Sequence, residues 1–208
     1  MVWSYLYLIP LLGTAVSLSI GIFFWRRRDL KSDPALIVMF FASAHWSLGY
    51  FFELCCSGLE VKILWDNVQF LGYTLLAPAT LIFILHHTDH KSWIKGWLIP
   101  VLAVEPLLTN VLAWTNRYHG LVRRSPGIRP LETIELLSYD WGLWMWASTI
   151  YELLLFFLGL LLLLSRLINT PTRIRSQTLF LLIGLLFPWI GGLVIFTSKI
   201  DMMPIFFT

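Results

Sequence analysis

Runs of about 20 mostly apolar residues, the length that crosses a bilayer core, recur six times along this chain and leave it few other ways to fold. They are Trp3–Trp25, Ala35–Cys56, Val61–Leu85, Trp93–Trp114, Trp141–Ile168 and Leu179–Ser198. The first lacks a basic leader and a small-residue cleavage site, so it reads as an anchor rather than a removable signal peptide. The second opens after Asp33-Pro34, where proline suits a first helical turn. Pro78, Pro100, Pro106 and Pro188 interrupt later spans, and Leu153–Leu164 is the most apolar stretch. Asp201–Thr208 reads as the opening of a seventh helix. The expected fold is therefore an all-α polytopic membrane bundle of six complete spans plus the start of a seventh, in one seven-transmembrane domain over residues 1–208. Stopping there suggests a fragment or a truncated gene product.

Composition agrees. Hydrophobic residues make up 58% and charged residues 13% of the chain, with a mean hydropathy of +0.75. A soluble domain carries about 25% charged residues, so a solvated surface could not be covered here. Disorder, a soluble enzyme, a nucleic-acid binder and a disulfide scaffold are poor fits. The net charge of +3 does not point to nucleic acid, because Arg26, Arg27 and Arg28 directly follow an apolar run, as at the cytoplasmic end of a span. The two cysteines, Cys55 and Cys56, are adjacent, which disfavours a relaxed disulfide. They read as small apolar residues.

The basic residues set the orientation. The first, third and fifth loops and their flanks carry Arg26 to Arg28, Lys31, Lys91, Lys95, Arg166, Arg173 and Arg175, whereas the second and sixth carry only Lys62 and Lys199. The long fourth loop mixes four arginines with Glu132, Glu135 and Asp140. The N-terminus is expected outside, in a multi-pass protein of the cell membrane. Within the fourth loop, Ser125-Pro126-Gly127 has turn chemistry, so residues 115–140 read either as an extracellular hairpin cap or as an irregular loop. No internal repeat of the transporter kind is visible.

Ionisable residues inside spans are costly and point to sites. Here they are His45, Glu53, Asp66, Glu105 and Glu152. All five fall in the middle-to-outer half of the bundle, which favours a pocket open to the outside over a proton path across the membrane. Each also has a structural reading. Asp66 can pair with Lys62 one turn away, Glu53 can face headgroups, Glu105 can satisfy a backbone group freed by Pro106, and His45 can be a hydrogen-bonded interior histidine. Glu152 is hardest to dismiss, since apolar residues run on from it for about three turns. His86, His87, Asp89 and His90 read as a solvated junction or, less directly, a metal site. Most tryptophans lie near span ends as an aromatic belt, while Trp46, Trp144, Trp146 and Trp189 lie deeper. Nucleotide-binding, hydrolase-elbow and zinc-protease motifs are missing, and no cofactor or metal is implied.

The order of landmarks resembles the N-terminal seven-helix sensor region of membrane-bound bacterial histidine kinases. They are Trp46, Tyr50, Phe51 and Glu53; Leu64-Trp65 and Leu71-Gly72; Pro78 and Phe83; and Pro106-Leu-Leu-Thr109 with Thr115-Asn116 and His119-Gly-Leu121. Tyr151, then Arg175 with Gln177, Pro188, and Asp201 with Pro204-Ile205-Phe206 complete the series. The resemblance implies a non-catalytic sensing segment, a cytoplasmic kinase module in full-length relatives, and signalling as a homodimer. Two departures stand out: the sequence stops at Thr208 without a phosphoacceptor helix, and Glu105 stands where relatives are expected to carry an apolar residue.

The leading expectation is a sensor module in the lipid bilayer whose stimulus, an extracellular or membrane-borne small ligand, binds in the outer half of the bundle beneath the fourth loop. Glu53, Glu105, Glu152 and His45 would contact its polar or cationic group, with Trp46 and Tyr151 as apolar walls. A small transporter would need polar residues reaching the cytoplasmic half. A lipid-modifying enzyme would need the His86, His87, Asp89 and His90 cluster.

Overall fold

The computed structural model describes residues 7–27, 33–131, 134–169 and 175–186. In chain order the elements are α1 (Leu8–Arg26), α2 (Pro34–Cys55), α3 (Leu59–His87), α4 (Leu98–Thr115), β1 (Arg123–Leu131), β2 (Ile134–Trp141) and α5 (Leu143–Asn169), followed by the shorter apolar helix α6 (Arg175–Leu186). Among the described residues five helices, α1 to α5, are long and apolar enough to cross a bilayer. The rest of the expected sixth span and the seventh helix expected from Asp201 lie outside the described residues.

Local chemistry explains the boundaries. Asp33 caps α2 by accepting from the Ala35 amide at 2.9 Å, with Pro34 in the first turn. The fourth span begins later than expected. Trp93 belongs to a short 3-10 turn, Lys91–Trp93, and α4 opens only at Leu98. Pro78 and Pro106 sit inside α3 and α4. Such prolines survive in membrane helices when the freed carbonyl finds another donor.

Contacts divide the chain into two compact units, residues 1–155 and 156–208. In the first, α2 packs against α1 on one side and α3 on the other, and α3 also meets α4. The α2–α3 contact needs small residues. A Cβ on Gly72 would lie 2.5 Å from the Ala42 carbonyl oxygen, and one on Gly49 would lie 2.6 Å from Gln69 Cγ. Close backbone approach of this kind is how helices associate in lipid. A hydrogen bond of 2.6 Å between His86 Nδ1 and Asp33 Oδ2 ties the end of α3 to the start of α2. The second unit holds the C-terminal part of α5 and α6.

β1 and β2 pair antiparallel, from Arg123 opposite Trp141 to Leu131 opposite Ile134. The chain therefore reverses between Leu131 and Ile134, not at Ser125-Pro126-Gly127 as the turn chemistry suggested. That tripeptide instead makes a register irregularity between Arg124 and Gly127. Pro126 has no N–H for the ladder and Ser125 adopts a φ of 47°, so it breaks the pairing without reversing the chain.

The turn into β1 is organised by Asn116. Its Oδ1 accepts from the Val122 and Arg123 amides, and its Nδ2 donates to the Arg123 carbonyl. His119 Nδ1 accepts from the Leu121 amide. A small apolar core of Phe70, Ala113, Val122 and Met145 then joins α3, α4, the hairpin entry and α5.

Candidate functional site

Around this core, polar side chains form two layers. The first joins the start of α3 to the hairpin. Lys62, fully buried, donates from Nζ to the backbone carbonyls of Glu53 (2.8 Å) and Glu135 (2.7 Å). Arg123, 2% exposed, pairs through Nη1 with Asp66 Oδ2. Through Nη2 it donates to Asn67 Oδ1, and to the Ala113 carbonyl at 3.1 Å. The Tyr139 phenol lies within electrostatic reach of Asp66 and Arg123. Burial pushes the Tyr139 phenol up, and the Asp66 charge adds to this. Glu53 is buried beside these groups and accepts from Gln69 Nε2 at 2.6 Å.

The second layer is formed by α3, α4 and α5. Glu105 Oε1 accepts two short hydrogen bonds of 2.5 Å, from Thr109 and Ser148. Glu152 Oε2 accepts from the Tyr73 hydroxyl at 2.6 Å. Trp144 Nε1 donates to Thr109 Oγ1 at 2.7 Å and so holds that hydroxyl in place. Both glutamates are only 9% exposed and lie within electrostatic reach of one another. Each keeps one buried oxygen, Glu105 Oε2 and Glu152 Oε1, without a hydrogen-bond partner among the described residues. A buried acceptor left unmade is expensive. Each of these oxygens is an acceptor that a hydrogen-bond donor or a positive charge would satisfy.

The expected site residues are only partly gathered. Glu105, Glu152 and Tyr151 come together, but Tyr151 is not simply an apolar wall. Its hydroxyl donates to the Leu102 carbonyl at 2.9 Å, the group that Pro106 cannot serve one turn later. Tyr151 thus does the repair that Glu105 was expected to do. Glu53 sits in the first layer and does not face headgroups. Trp46 is 41% exposed and packs on the Tyr73 ring with centroids 5.5 Å apart, so it backs a ligand of Glu152 without lining the pair. His45 lies beside Gly72, its Nδ1 buried and without a hydrogen-bond partner among the described residues. Asp66 pairs with Arg123 rather than with Lys62, because the hairpin brings a guanidinium to a better position than the neighbouring turn does.

Sequence reasoning missed Thr109, Ser148, Tyr73, Lys62 and Arg123. Thr109 carried a signal: it follows Glu105 by four residues and so shares a helix face with that carboxylate, whereas Ser148 reaches Glu105 from the neighbouring helix. Among the described residues no group of three or more His, Cys, Asp or Glu side chains could hold a metal. In the former metal candidate, His86 is held by Asp33 and His90 by Thr88.

A family model described as the N-terminal 7TM region of histidine kinase matches residues 9–208. No curated protein matches the chain, and no solved structure does.

Proposed function

The chain belongs to the family of N-terminal 7TM regions of histidine kinases, and from that premise we propose that it binds a small stimulus at the Glu105–Glu152 pair and passes the signal to a cytoplasmic kinase module. The family is a sensor region of a multi-pass membrane protein, not a catalytic core. The observation that carries the site assignment is the pair of buried carboxylate oxygens without partners, Glu105 Oε2 and Glu152 Oε1. The stimulus is a donor-bearing or cationic group that completes both.

In this reading the N-terminus and the hairpin lie outside, six spans and a seventh cross the plasma membrane, and the hairpin covers the site. Glu105 is on α4, Glu152 on α5, and Tyr73 on α3. A ligand drawing on both carboxylates therefore favours one arrangement of three helices over another. Only such differential binding shifts the equilibrium. A shift of tenfold in kinase output needs about 1.4 kcal/mol of coupling, which one or two charge-assisted hydrogen bonds supply. The seventh helix carries the shift into the kinase module, in a homodimer.

The test is to join this region to a histidine-kinase core and measure autophosphorylation in membranes over a panel of small amines, amino acids and alcohols. Glu105→Gln and Glu152→Gln should each abolish or shift the response to the active compound, while Glu60→Gln leaves it unchanged. A response in both glutamine variants equal to that of the parent would remove the site assignment.

A further inference from the structure

A groove lined by α3, α4 and His45 of α2 includes neither Glu105 nor Glu152 in its lining. Its volume is about 430 Å³, and its lining includes His45, Asn67, Leu75, Leu107, Asn110 and Trp114. Small-molecule sites run from roughly 300 to 1,000 Å³ and combine apolar walls with a few placed polar groups. This groove has that composition at the small end of the range.

We propose that it binds a single-chain membrane amphiphile with a hydrogen-bond-accepting head, such as a carboxylate, entering sideways from the outer leaflet. The polar groups argue for a head. Asn67 Oδ1 is held by Arg123, which leaves its amide N–H groups as donors still to be used. His45 Nδ1 is buried without a hydrogen-bond partner among the described residues. Asn110 spends its amide nitrogen on Thr74 Oγ1 and the Pro106 carbonyl, so it fixes the wall there. An all-hydrocarbon filling would leave the Asn67 amide N–H groups without an acceptor in the membrane, at a real cost.

The order along the groove argues for the direction. With the N-terminus outside, α3 descends and α4 ascends. Asn67 and Trp114 then lie at the outer rim, His45 deeper beside Gly72, and Leu75 at the apolar floor. A head at the rim and a chain toward the floor has the same polarity as an outer-leaflet lipid. The volume suits one chain rather than two.

The groove also touches both polar layers. A head at Asn67 meets the side chain that Arg123 uses to hold the hairpin, and the wall residue Pro106 is adjacent to Glu105 in the chain. An amphiphile would therefore bias the same helices as the carboxylate site without contacting the carboxylates.

The experiment uses the full chain in phosphatidylcholine nanodiscs and a palmitate carrying a diazirine in its chain, with crosslinks mapped by mass spectrometry. Labels should concentrate on Leu71–Leu75 and Ala103–Leu107, compete with unlabelled palmitate, and disappear when Ala103→Trp fills the groove. Asn67→Leu, which tests the head without filling the site, should weaken competition about tenfold, as for one hydrogen bond to a charged head. A hexadecane diazirine should not reproduce the pattern. Labelling spread evenly over the exposed face of α1, unaffected by either variant or matched by the hexadecane probe, would overturn the proposal. The readout is binding, so it stands or falls separately from the kinase response of the glutamate variants.

Discussion

Replacing Arg123 by Gln should destabilise the first unit more than any other single change in the hairpin. The side chain is buried and serves three acceptors: Asp66, Asn67 and the Ala113 carbonyl. Glutamine cannot reach all three and carries no charge, so Asp66 is left as a largely buried carboxylate without its guanidinium. Breaking a buried ion pair from one side costs about 3–5 kcal/mol. The partial exposure of the Asp66 side chain, 13%, places this case at the lower limit, about 3 kcal/mol. Asp66→Asn leaves the guanidinium with two acceptors and should cost less. In the double variant the stranded charge is gone, so the two losses should not add, and the coupling should reach about 1–3 kcal/mol. Reversible SDS unfolding in mixed micelles, followed by circular dichroism, measures all four corners of the cycle. A loss below about 1 kcal/mol for Arg123→Gln, or simple additivity in the double variant, would refute the reasoning.

Three further outcomes follow from the same geometry. Gly72→Ala places a methyl against the Ala42 carbonyl and the Trp46 amide and should cost about 1–3 kcal/mol by forcing α2 and α3 apart, read in the same unfolding assay. Tyr151→Phe leaves the Leu102 carbonyl without the donor that replaces Pro106 and should cost about 1–3 kcal/mol, with amide exchange rising around Leu102. Because burial holds the Tyr139 phenol above its ordinary value, its contribution is fully present below about pH 10, the unfolded phenol's range, and is lost as pH rises through the folded value. Melting at increasing alkaline pH should therefore fall more steeply in the parent than in Tyr139→Phe, and parallel curves would contradict this.

The fold was legible wherever one residue type decides the matter. Long apolar runs have no other use, and Asp33-Pro34 is a helix start on any scaffold, so α1 to α5 could be placed to within a few residues. The pairing of Glu105 with Glu152 was less accessible. Both stood out as buried charges, but that Ser148 would turn toward Glu105 rather than serve its own helix depends on how α4 and α5 pack. Arg123 was hidden for a different reason. In sequence it is one of four arginines in a polar loop, and only the register of the hairpin, with Ser125-Pro126-Gly127 absorbed as an irregularity, brings it to Asp66. Tyr151 shows how a correct residue can carry the wrong role: its aromatic ring suggested a wall, while its hydroxyl answers a backbone defect created 45 positions earlier, at Pro106.

Sidedness decides whether the polar core beneath the hairpin faces outward. In a Cys55→Ser, Cys56→Ser background, Ile128→Cys marks the hairpin and Lys95→Cys marks the turn before α4. A membrane-impermeant maleimide applied to intact cells should label Ile128→Cys at once and Lys95→Cys only after the membrane is opened. Labelling of Lys95→Cys from outside, with Ile128→Cys protected, would invert the bundle and contradict the account.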